Sequence, residues 1–213
     1  MLRTSRLTLA QLWWPRVGVQ PDLARVVLGS LFVALCAQIS IPLRPVPITG
    51  QTLGVLLVGA LLGRRLGALA LLAYLGEGLV GLPVFAGGTS AWSPSSVPGV
   101  PVIIGPTAGY LIGFVPAAFL VGWLAEHGWD RRVLSAAAAM ALGNVVIYVL
   151  GLAGLARFVP PASLLPLGLL PFLPGDALKI ALAAAVLPGA WALTPGRREE
   201  GSAERAQGGP PQR

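Results

Sequence analysis

Apolar residues in this chain fall in long unbroken runs rather than stripes. Runs such as Leu66-Gly67-Ala68-Leu69-Ala70-Leu71-Leu72-Ala73 do not alternate with period two, which sets aside a membrane β-barrel, whose strands alternate apolar and polar positions. A helix that crosses a bilayer needs about 20 mostly apolar residues. The pattern predicts six such spans, at Leu23–Ile41, Thr49–Leu62, Leu66–Leu82, Gly105–Ala125, Val133–Leu155 and Pro171–Leu193. Pro42 closes the first and Pro83 the third, while Pro171 and Pro174 suit the start of the sixth. The second is short, which implies tilt or a partly re-entrant path. Residues 83–104 are uncharged and rich in Gly, Pro and Ser, and read as an ordered outer loop or lid.

The flanks differ from this body. Residues 1–22 form a basic amphipathic segment, with Arg3, Arg6, Arg16 and the Trp13-Trp14 pair, suited to the membrane interface and lacking the features of a signal peptide. Residues 194–213 are polar and Gly/Pro-rich and read as a disordered cytoplasmic tail. The expected architecture is all-α: a polytopic membrane bundle of six transmembrane helices over residues 23–193.

Composition supports that reading. Of 213 residues, 55% are hydrophobic and 11% charged, against about 25% charged in soluble domains. Mean hydropathy is +0.77. The net charge of +7 resembles a nucleic-acid signal, but its placement says otherwise. Arg3, Arg6, Arg16, Arg25, Arg64, Arg65, Arg131, Arg132, Arg197, Arg198, Arg205 and Arg213 all fall on one side of the six-span topology, and only Arg44 and Arg157 on the other. Positive residues mark cytoplasmic loops, so both termini are expected inside, at the cell membrane. The basic excess then reflects topology and contact with lipid headgroups, with no nucleic-acid partner.

Three ionisable residues remain inside the spans: Glu77, Asp176 and Lys179. A charge at mid-membrane costs about 2.5–3.5 kcal/mol on insertion scales, so such residues usually face a cavity or a partner. Topology puts all three in the outer half, and Asp176 and Lys179, three apart, share a helix face. One reading is a self-neutralising pair with Glu77 reaching to the interface; the other is a polar-lined pocket open to the outside. Thr49, Gln51 and Tyr110 are candidates to add to that pocket, as are Asn144 and Tyr148, four apart on one face. For the tyrosines packing competes with ligand contact, and for Asn144 a helix–helix hydrogen bond does. A ligand carboxylate would meet Lys179, and ligand N–H groups would meet Asp176 or Glu77.

No nucleotide-binding loop, HExxH motif, nucleophile elbow or Cys/His cluster is present, and the chain holds one His (His127) and one Cys (Cys36). A catalytic centre or resident cofactor is therefore not expected. ATP hydrolysis, if uptake uses it, belongs on another chain.

At these residues the chain resembles the BioY family, the biotin-specific substrate-binding (S) components of energy-coupling-factor (ECF) transporters. The resemblance lies in Ile39-Ser40-Ile41-Pro42 with Pro45-Val46-Pro47-Ile48-Thr49 and Gln51-Thr52, then in Gly81-Leu82-Pro83-Val84-Phe85-Ala86-Gly87-Gly88. It continues through Gly105-Pro106-Thr107-Ala108-Gly109-Tyr110, then Gly143-Asn144 with Tyr148 and Gly151, and ends at Pro171-Phe172-Leu173-Pro174-Gly175-Asp176 with Lys179. It implies biotin as ligand, held by side chains including Asp176 and Lys179, and a T component and two ATPase subunits as partners. The small-residue face of span one, Ser30 and Ala34, would contact the T component. The loop after Gly88 departs from the family: it is longer and uncharged, so no ligand-contacting arginine is carried over. Its Trp92 either covers the pocket or packs the loop. Two alternatives stay open: an S component or carrier for another small carboxylate vitamin, and a membrane-embedded enzyme using the carboxylates.

Overall fold

The structure, a computed structural model, describes residues 8–13 and 19–193. The expected tail, 194–213, and most of the basic N-terminal segment lie outside the described residues, apart from the short helix α1 (Leu9–Trp13) and the start of the next helix. The main elements follow as α2 (Val19–Gln38), strands β1 (Ser40–Ile41) and β2 (Ile48–Thr49), α3 (Gln51–Leu79), α4 (Ala108–Glu126), α5 (Val133–Leu155), α6 (Pro161–Gly168) and α7 (Leu173–Ala192). Among the described residues five stretches are long and apolar enough to cross a membrane: α2, α3, α4, α5 and the stretch Pro161–Ala192. The architecture is that of an all-α membrane bundle. Large apolar side chains point outward along it, including Leu35, Leu134, Val149 and Val186, each at least 60% exposed. Such a coat suits lipid rather than water.

Helix α3 folds back on itself. Gly63 adopts φ 81° and ψ 177°, a left-handed backbone that favours glycine. The halves on either side run antiparallel: a Cβ on Gly67 would lie 3.0 Å from Gly59 Cα, and Gln51 Nε2 lies 2.6 Å from the Tyr74 hydroxyl. Both residue pairs centre on the bend. The expected spans 49–62 and 66–82 are thus the two arms of one element, joined by a single residue rather than a loop. Glu126 seals the turn, accepting from the Arg64 backbone N–H at 3.0 Å and lying 3.3 Å from Arg64 Nε.

The first span ends earlier than the hydrophobic run. After Gln38 the chain reverses through an antiparallel ribbon, Ser40 opposite Thr49 and Ile41 opposite Ile48. Its turn holds Pro42, Pro45 and Pro47, which cannot donate backbone hydrogen bonds and stop the helix. Helices α4 and α5 meet almost backbone to backbone, with a Cβ on Gly109 lying 2.3 Å from the Leu150 carbonyl oxygen. The loop from residue 80 to 107 is irregular, pinned by 3₁₀ turns at Ala86–Gly88 and Val102–Ile104 and by bridges Phe85 to Thr89 and Pro94 to Pro101. Helix α6 was not expected. Eight residues with two prolines carry no readable periodicity, although Pro161 sits where a helix tolerates it, in the first turn.

Candidate functional site

A cavity of about 330 Å³ opens at the end of the bundle where α3, α4 and α7 begin. The β1–β2 turn, the 80–107 loop and the α6–α7 turn surround it, and the middle of α5 forms a wall. Its size falls in the range of small-molecule sites, about 300–1,000 Å³. The sides are mostly apolar, with Phe85, Val102, Leu111, Phe114, Ile147 and Phe172.

The floor is ionic. Asp176, in the first turn of α7, is 4% exposed. Its Oδ1 accepts from Lys179 Nζ at 2.9 Å and from the Thr52 hydroxyl at 3.1 Å, and its Oδ2 accepts a short bond from the Tyr148 hydroxyl. Lys179 also donates to the Thr49 carbonyl at 2.7 Å and the Thr52 hydroxyl at 2.9 Å. An ammonium has three N–H donors and no acceptor. All three of Lys179's are engaged by the chain itself. A carboxylate has about four acceptor positions, of which Asp176 uses three, leaving one on Oδ2. The floor therefore offers a charge-assisted acceptor and has no free cation. That open position on Asp176 can accept from an N–H group.

Of the residues expected at the site, Asp176, Lys179, Thr49, Gln51, Tyr110 and Tyr148 line the cavity. Tyr110 presents its ring only, because its hydroxyl donates to the Gly168 carbonyl at 2.7 Å. The expected meeting of a ligand carboxylate with Lys179 would require that residue to give up one of these partners.

Glu77, Asn144 and Trp92 do not line the cavity. Glu77 lies on the second arm of α3 and faces α2, where its Oε1 accepts from the Ser30 hydroxyl at 2.6 Å. Asn144 is buried one turn from Tyr148, off the lining, with its Oδ1 unpartnered among the described residues. Trp92 is 62% exposed, and its indole N–H donates to the Leu79 carbonyl at 2.7 Å, so it packs the loop onto the end of α3. Ser30 and Ala34, expected to face a partner, are 0% and 8% exposed and turned into the bundle. Beside them a Cβ on Gly29 would lie 2.9 Å from Ala70 Cβ. The small residues let α2 approach α3 within the chain.

Two residues were missed. Thr52 joins Lys179 to Asp176; its signal was a polar side chain in the first turn of an apolar helix. Exposed Arg44, on the β1–β2 turn, lines the rim. Sequence reasoning had spent it on topology.

The BioY family model matches residues 10–196. A probable biotin transporter BioY from Pyrococcus horikoshii is 42% identical over 161 residues, covering 74% of this chain and 90% of that one. The biotin transporter BioY of Rhodobacter capsulatus is 41% identical over 174 residues, covering 73% and 86%. Among solved structures, the S-component for biotin from an ECF-type ABC transporter superposes with a TM-score of 0.67 at 26% identity, covering 78% of this chain and 88% of that one.

Proposed function

Because this chain belongs to the BioY family, we propose that it captures biotin and carries it across the cell membrane as the S component of an ECF-type transporter. It is a multi-pass membrane transport protein and not an enzyme. A T component and two ATPase subunits are its partners, and ATP hydrolysis takes place on those subunits. Taking the arms of α3 as two short spans keeps the six-span topology, and the arginine distribution supports termini in the cytoplasm, with the cavity opening outward.

The observation that carries the reading is the saturated Lys179 beside an Asp176 with one open acceptor position, at the bottom of an apolar cavity. Biotin is a monoanion with two ureido N–H groups at one end, a carboxylate at the other and an apolar body between. The floor receives the ureido end, with Asp176 as acceptor and Tyr148, Thr52 and Lys179 holding that carboxylate in place. Phe85, Phe114 and Phe172 enclose the ring body, and the carboxylate lies at the rim near Arg44. Glu77, Asn144 and Trp92 take no direct part in this arrangement.

The test is equilibrium binding of biotin to detergent-purified protein, beside a panel of other small carboxylate vitamins. The reading expects biotin to be preferred, and expects Asp176→Ala and Lys179→Ala to abolish binding while the protein stays folded. Unchanged affinity in both variants would defeat it.

A further inference from the structure

Behind the cavity wall a chain of hydrogen bonds leaves the ionic floor and ends in the loop at the cavity mouth. Lys179 donates to the Thr49 carbonyl at 2.7 Å, and the Thr49 hydroxyl donates to Gln51 Oε1 at 2.9 Å. Gln51 Nε2 donates to the Tyr74 hydroxyl at 2.6 Å, and that hydroxyl donates to the Val84 carbonyl at 3.1 Å. The phenol accepts once and donates once, so replacing it leaves both neighbours without a partner. Gln51 is 5% exposed and Tyr74 0%, so the loss falls on buried groups.

Val84 precedes Phe85, which lines the cavity. The Phe85 ring packs edge-on against Tyr74, with centroids 5.3 Å apart at 62°. It fills the space over Gly78, where a Cβ would lie 2.1 Å from the ring. Tyr74 thus fixes this stretch of loop twice, by its ring through Phe85 and by its hydroxyl through Val84, although it does not line the cavity.

We propose that Tyr74 is a positioning residue that ties the loop at the cavity mouth to the Asp176–Lys179 floor, so that a seated ligand and a closed loop hold each other in place. The proposal rests on the biotin reading above. Ordering the floor orders Thr49 and Gln51, which orders Tyr74 and the Val84–Phe85 stretch. Loss of the hydroxyl alone severs that link and spares the ring contact.

The experiment is Tyr74→Phe, with biotin association and dissociation rates measured on purified protein beside thermal unfolding without ligand. The expected result is dissociation faster by about 10-fold, the effect of losing one buried hydrogen bond, with association changed less than about twofold. A role in packing alone would shift the unfolding midpoint and leave dissociation from folded protein unchanged, and that result overturns the proposal. Amide hydrogen exchange of residues 84–91 in the wild-type chain decides the matter independently of whether the variant folds. Protection that rises with biotin supports the coupling, and protection unaffected by bound biotin overturns it. A wild-type chain that binds no biotin would instead defeat the function reading.

Discussion

The orientation assigned to the ligand is open to a direct test, because it puts the ligand carboxylate at the exposed rim beside Arg44 and not on the buried Lys179. The perturbation is biotin methyl ester, measured against the wild-type chain and Arg44→Ala. A solvent-screened ion pair is worth about 0.2–1 kcal/mol, which is about 1.4- to 5-fold in Kd. The side chain of Lys179 is only 16% exposed. A carboxylate bonded there would form a charge-assisted bond worth about 1.5–3 kcal/mol, or about 10- to 150-fold. The rim geometry therefore expects a small ester penalty that disappears in Arg44→Ala and shrinks as salt is raised. Isothermal titration at low and at raised ionic strength, with competition against a tight ligand where affinities are high, gives all the values needed. An ester penalty above about 10-fold that survives in Arg44→Ala would refute the donor accounting.

Three further outcomes follow from the geometry. Lys179→Met should lower stability by about 3–5 kcal/mol, because it strands a buried carboxylate; Asp176→Asn added to it should recover much of that loss in thermal unfolding without restoring biotin binding. Gly63→Ala forces a left-handed backbone onto a residue whose Cβ would lie 2.7 Å from Glu126 Oε1 and should lower the unfolding midpoint, whereas Gly76→Ala, with nothing within 4 Å, should leave it unchanged or raise it. Asp130, in the turn between α4 and α5, is 2% exposed, and burial raises its pKa above the ordinary carboxylate value, opposed by its bond from the Trp191 indole and by Arg131. Its protonated form is favoured by folding, so stability falls as pH rises from the ordinary carboxylate pKa through the raised one. Asp130→Asn should flatten that part of the stability–pH curve.

Much of this was legible because membrane helices write their length into hydropathy. The expected fifth span and α5 share the same bounds, Val133–Leu155. The break expected after Leu62 appears at Gly63, although Arg64 and Arg65 proved to belong to a helix arm and not to a loop. The ribbon was hidden because β1 lies at the end of the first hydrophobic run and β2 at the start of the second, and two-residue strands carry no periodic signal. At the site, depth was readable and facing was not. Glu77 has the right residue type but turns toward α2 and Ser30. Small-residue spacing at Ser30 and Ala34 likewise shows that something approaches closely, not whether it is a partner or the chain's own α3. Residue type alone also left the partners of Lys179 unread, since counting its donors requires knowing where Thr49 and Thr52 end up.

Placing charges in an apolar bundle has a cost that this chain meets by local neutralisation, and the way it does so shapes what the site selects. Asp176 and Lys179 cancel each other, so the cavity floor carries no net charge yet keeps one strong acceptor. Arg44 at the rim is unopposed by any carboxylate among the cavity-lining residues other than the already paired Asp176. A monoanion bound with its charge at the mouth thus meets a single positive group in water, where the pair is weak and easily broken. The same molecule inserted the other way would bring a carboxylate against Asp176 with no free cation to offset it, a desolvated like-charge contact. Discrimination then comes from the penalty on the reversed pose more than from attraction in the correct one. On this geometry, ligands that carry their N–H groups and their charge at opposite ends should pass the filter, and those with a carboxylate beside the N–H groups should not, which competition binding with the two kinds of ligand checks.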